Sequence, residues 1–157
     1  MALLVETGLG VPGANSYVSV AELRAWATDR GLALPAVDSD VEALLVKAAD
    51  YLELKSYIGT KSTDEQGLSW PRLETDYIGI PSKLKQAQKL LALEAKNGDL
   101  TPAVRPGKYI QTKVDVLYIK YADDKDRSEG LRFAAVDNLL MGLLSVGGMR
   151  PLTSVRA

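Results

Sequence analysis

The chain has 157 residues, 46% of them hydrophobic and 25% charged, with a formal net charge of −1. That balance suits one globular domain, 1–157, with a buried core, and it lacks the cationic excess of a dedicated duplex-binding domain. The absence of cysteine and histidine removes disulfides, Cys- and His-ligated metals, thiol catalysis and Ser-His-Asp chemistry, so neither a cofactor nor an enzymatic activity is expected.

Ala2–Thr7 reads as a short strand or extended arm, and Gly8–Asn15 as a glycine-rich loop; together 1–17 form an N-terminal arm. Leu3–Val5 is too short for a signal-peptide core and no apolar run reaches membrane-spanning length, so the expectation is a chain that stays in the cytoplasm and has no membrane partner. Ser19-Val20-Ala21-Glu22 is a capping box, which predicts a first helix through Asp29, stopped at Gly31, with Val20, Leu23 and Ala27 inward and Trp26 flanking. Asp38, Ser39 and Asp40 offer an N-cap for a second helix to Lys55. Its stripe is Val41, Leu44, Leu45, Ala48, Tyr51 and Leu52.

Tyr57–Ile80 holds Gly59, Gly67, Pro71 and Gly79 without a clean period. It reads as an ordered loop with a turn of helix near Thr63–Gln66. Trp70 is its candidate anchor on the core. Pro81 suits the first turn of a third helix running to Lys96, with Leu84, Ala87, Leu91 and Ala95 inward and Lys83, Lys85 and Lys89 outward. Tyr109–Tyr121 is dense in β-branched and aromatic residues and predicts one or two strands. Leu131–Val146 predicts a fourth helix with Phe133, Val136, Leu139, Leu140 and Leu143 on its apolar side, and 147–157 is a short tail. The expected fold is mainly α with minor β: about four helices in a small bundle, a short strand pair or hairpin, and the extended arm.

Three motifs invite a functional reading. Gly8-Leu9-Gly10-Val11-Pro12-Gly13 spells GxGxxG, but no second parallel strand follows the first helix, and Pro12 removes a backbone donor, so a tight turn is expected rather than a dinucleotide loop. Asp124–Gly130 resembles the start of an EF-hand loop, yet Glu129 stands where glycine is needed and Ala135 where the final glutamate is needed, so a solvated turn is expected. Tyr109, Tyr118 and Tyr121 with Lys108, Lys113 and Lys120 carry the aromatic and cationic groups of a single-strand stacking platform, although strand aromatics commonly serve packing and Asp115, Asp123 and Asp124 dilute the charge.

The order and spacing of VETGLGVPGANSYVSVAE (5–22), ALLVKAADYLE (43–53), GLSWPR (67–72), IPSKLKQAQKLLALEA (80–95), the Tyr118–Tyr121 strand and AVDNLLMGLL (135–144) resemble the "DnaT-like" phage head-to-tail adaptor family. That resemblance implies a structural virion protein at the head-tail junction, made in the host cytoplasm. It would assemble with itself as a ring, expected as a dodecamer, beneath the portal protein. The ring would extend the channel for genomic DNA passing through without sequence-specific contact, and would dock a tail-side connector or tail protein. Under it, Tyr109, Lys113, Tyr118 and Tyr121 are expected at the subunit interface, and Leu143, Met149, Arg150 and Arg156 against the portal. The family label itself implies the alternative: single-stranded DNA binding in replication restart.

Overall fold

Ser19 begins the first helix as the capping box requires: its hydroxyl accepts the Glu22 N–H at 3.2 Å while Glu22 Oε2 accepts the Ser19 N–H at 3.0 Å. Helix α1 (Val20–Thr28) buries Leu23 and Ala27. It stops at Gly31, whose φ of 63° admits the turn in which the Leu32 N–H returns to the Ala27 carbonyl at 2.9 Å. In this computed structural model the described residues are 2–101 and 133–145.

Helix α2 (Asp38–Glu53) buries Val41, Leu44, Leu45, Ala48, Ala49, Tyr51 and Leu52. It begins one residue earlier than the expected acidic cap, with Val37 at the cap and no side-chain cap bond. Asp38 is otherwise engaged, accepting from Arg24 Nε at 2.9 Å and from its terminal nitrogen at 2.6 Å. Asp38 and Asp40 still lie in the first turn, where the helix dipole favours negative charge.

The segment between Tyr57 and Ile80 contains the antiparallel pair β1 (Thr60–Lys61) and β2 (Arg72–Leu73), in register Thr60–Leu73 and Lys61–Arg72. Two residues per strand are too short to display alternation. The expected helical turn at Thr63–Gln66 is instead a non-helical turn, closed by Gln66: its side-chain oxygen accepts the Thr63 N–H at 3.0 Å and its amide donates to the Leu68 and Pro71 carbonyls. Gly67 passes so close to Ala14 that a Cβ there would lie 2.5 Å from the Ala14 backbone nitrogen and oxygen. Only glycine lets this loop lie on the arm.

Helix α3 (Ser82–Asn97) follows Pro81 and buries Leu84, Ala87, Gln88, Leu91, Ala92 and Ala95. Helix α4 (Ala134–Leu140) is shorter than expected and gives way to a turn at 141–143. Packing of α2 on α3 and α3 on α4 builds the core, with α1 leaning on α2. Each buried leucine contributes about 2 kcal/mol in transfer free energy. The returning chain is tied to the end of α2: Ile58 N–H donates to the Leu143 carbonyl at 3.0 Å, Ser145 N–H to the Ser56 carbonyl at 2.9 Å, and Phe133 meets Tyr51 edge-on at 5.6 Å. Among the described residues, four helices and a two-stranded antiparallel sheet make the protein mainly α with minor β. The strands expected at Tyr109–Tyr121 lie outside the described residues.

Candidate nucleic-acid interface

The glycine-rich loop is closed by its own chain. Residues 4–6 pair with 15–16 (Asn15 N–H to Leu4 O at 2.9 Å, Glu6 N–H to Ser16 O at 2.8 Å), so the arm folds back around the loop. The buried Glu6 carboxylate lies at its centre. Glu6 Oε1 accepts the N–H groups of Gly8, Leu9 and Gly10 at 2.9, 3.1 and 3.0 Å, and Oε2 accepts that of Val11 at 2.7 Å. Successive backbone N–H groups make an anion nest, and here the anion is internal. A phosphate would find these donors taken. The motif is a structural turn, with Gly8, Gly10 and Gly13 at φ 96°, 77° and 72°.

Two polar hubs hold the arm and the long loop. Gln88, on the inner face of α3, accepts the Tyr17 N–H at 2.9 Å and donates to Ser16 Oγ at 2.8 Å and the Leu45 carbonyl at 2.9 Å. The Tyr17 hydroxyl donates to Glu53 Oε1 at 2.7 Å and accepts the Trp70 N–H at 3.2 Å, while Ser69 donates to Glu53 Oε2 at 2.7 Å. Burial, then the Glu53 carboxylate, pushes the Tyr17 hydroxyl far above the ordinary tyrosine value; burial and Glu53 likewise raise Tyr57. Both stay protonated and act as fixed donors rather than acids. The Trp70 ring is fully buried between Tyr57 and Tyr77, edge-on to each at 6.0 and 5.9 Å. Arg72 spends its guanidinium on the carbonyls of Ile58, Gly59 and Ser69 at 2.6, 2.6 and 3.2 Å, which holds the loop shut.

The sequence-derived contact residues divide sharply. Tyr109, Lys113, Tyr118, Tyr121, Met149, Arg150 and Arg156 lie outside the described residues, as does the EF-hand-like turn. Leu143 is fully buried, so its side chain has no surface to offer a partner, contrary to its expected role. Residues that sequence reasoning passed over, Glu6 and Gln88, are structural centres. Among the described residues no cluster of three His, Cys, Asp or Glu is placed to hold a metal, and no helix is long and apolar enough to cross a membrane.

The charge is unevenly spread. Helix α2 carries Asp38, Asp40, Glu42, Asp50 and Glu53 against Lys47, whereas α3 carries Lys83, Lys85, Lys89 and Lys96 against Glu94. Lys85 Nζ lies 3.6 Å from Glu22 Oε1, and Lys96 Nζ donates to the Ala33 carbonyl at 3.0 Å. Arg30 lies over the Trp26 ring at 4.5 Å and donates to the Trp26 carbonyl at 3.2 Å. Burial alone would raise the Glu22 carboxyl, but its bond from the Ser19 N–H and the nearby Lys85 and Lys89 outweigh that and hold it below the ordinary carboxylate value. A lowered folded-state value stabilises above the carboxylate range and is lost as pH falls through it. Glu22→Gln is therefore expected to lower stability slightly at neutral pH, by less than about 1 kcal/mol at this exposed position, with a correspondingly lower thermal midpoint, and to have no effect in acid. Thermal melts at both pH values check the crossover.

A family described as "Putative DnaT-like ssDNA binding protein" matches residues 1–157. No curated protein matches, and no solved structure matches. The family match overturns the head-to-tail adaptor assignment, together with its portal and tail partners and its ring around packaged DNA: the family is described by single-strand binding, and nothing else supports a connector.

Proposed function

The chain belongs to the DnaT-like family over its whole length, and from that premise we propose that it binds single-stranded DNA without sequence preference and without catalysis. The family match over 1–157 is the observation that carries the reading. Two features of the chain support it. Its described cations concentrate on α3, which suits attraction of a phosphate backbone despite a net charge near zero. In the sequence, Tyr109, Tyr118 and Tyr121 accompany Lys108, Lys113 and Lys120, the combination of stacking surface and cation that sequence-tolerant single-strand binding uses. The lack of histidine and cysteine supports binding rather than chemistry.

The test is fluorescence anisotropy of a labelled oligothymidylate across a salt series. Each phosphate neutralised should contribute about −0.7 to the slope of log K against log salt for a single strand. Engagement of several lysines therefore predicts a slope of about −2 or steeper, with weaker binding to a duplex of equal length. A signal that stays flat at low salt would sink the reading.

A further inference from the structure

Resting on the single-strand reading, we infer that the side of the molecule where α1 lies beside α3 is the DNA track, with the Arg30 guanidinium as a base-stacking plane and Lys85, Lys89 and Lys96 as phosphate contacts. Two contacts set the alignment. Lys85, near the start of α3, meets Glu22, near the start of α1; Lys96, near the end of α3, meets Ala33, just beyond the end of α1. The two helices therefore run side by side in the same sense. Spacings of four and seven residues put Lys85, Lys89 and Lys96 on one stripe, which at 1.5 Å per residue is about 16 Å long.

On α1 Glu22 and Trp26 are spaced by four, and Arg30, in the turn just beyond the helix, folds back onto Trp26. Trp26 is half-buried against the core, so its ring is fixed. Arg30 is exposed, yet it is held twice, by the ring 4.5 Å below and by the hydrogen bond to the Trp26 carbonyl at 3.2 Å. Its Cζ lies over the indole ring. The residue is exposed, and an unpaired base can stack on an exposed guanidinium plane. Three carboxylates lie on α1, at its C-terminal cap and on α3: Glu22, already engaged by Ser19 and Lys85, and the exposed Asp29 and Glu94. Six cations oppose them, Arg24, Arg30, Lys83, Lys85, Lys89 and Lys96, of which Arg24 is spent on Asp38 of α2. Cations along a line beside one stacking plane suit a polymer that alternates phosphates with exposed π faces. A duplex hides its base faces and would use only the charges.

The experiment repeats the oligothymidylate titration with the full chain and two variants, Arg30→Lys and the double variant Lys89→Gln/Lys96→Gln. Both alter side chains at the surface, and circular dichroism with a thermal melt confirms that each variant is folded. Arg30→Lys keeps the charge but loses the plane, so affinity should fall roughly tenfold with the salt slope unchanged. Removing two cations should make the slope shallower by about 1.4. If the unaltered chain binds with a salt-dependent affinity and both folded variants match it, the track is overturned and the single-strand reading stands. If the unaltered chain does not bind, both fall.

Discussion

Replacing Gln88 with leucine is expected to destabilise the fold by about 3 to 4 kcal/mol, because a buried donor or acceptor left without a partner costs about 1 to 3 kcal/mol each. The substitution nearly conserves volume, which separates the loss of hydrogen bonds from the opening of a cavity. It removes the acceptor of the Tyr17 N–H and the donor to Ser16 Oγ and the Leu45 carbonyl, all in a region closed to solvent. Ser16 has fallback partners, since its hydroxyl also donates to the Val18 carbonyl and accepts the Val18 N–H. The Tyr17 N–H has none among the described bonds, so most of the penalty falls there. Urea unfolding should show a lower midpoint with an unchanged slope. A shift below about 1 kcal/mol would mean that water reaches the orphaned N–H and that the arm is not sealed as described.

Glu6→Ala is the second large effect, expected at about 3 kcal/mol. Four N–H groups lose a charged acceptor at once, and charge-assisted bonds are about twice as strong as neutral ones. Water compensates part of this at Leu9, which is exposed, and least at Gly10, which is buried. Glu6→Gln should fall between the two: its oxygen can still serve three of the donors, but its amide nitrogen then faces the Val11 N–H. Amide hydrogen exchange provides a local readout. Gly8–Val11 should be protected in the unaltered protein and exchange freely in Glu6→Ala. Equal exchange in both would show that the carboxylate does not hold the loop.

How much of this was legible in the sequence depends on the length scale of each signal. The helices were, because Leu and Ala recur at helical spacing over two or more turns in α2 and α3, and because the Ser19–Glu22 box is a local device that needs no tertiary partner. Gln88 was not. It stands within the stripe formed by Leu84, Ala87 and Leu91, at the position where an apolar residue belongs, and a polar residue there was the available sign of a buried hub. Glu6 was missed for a related reason. An acid two residues before a glycine-rich turn is itself the anion that the nest requires, and a GxGxxG spelling by itself gives no sign that the loop's own chain supplies it. The strand pair Thr60–Lys61 and Arg72–Leu73 is set by tertiary closure through Arg72 and is too short to leave a period. For the candidate interface, the outward lysines of α3 and the flanking Trp26 could be read directly. Their placement along one side could not, because it depends on α1 and α3 running in parallel.

The bond between Gln88 and the arm also sets an order of events during synthesis. Ser16 and Tyr17 leave the ribosome 72 and 71 residues ahead of their partner, and at about 5 to 20 residues per second that is a wait on the order of ten seconds. Through that interval Tyr17 and Val18, fully buried in the finished protein, have no core to enter. Residues 16–18 are thus made well before the helix that encloses them, and a nascent chain stalled before α3 should present them as a ready site for a holdase chaperone.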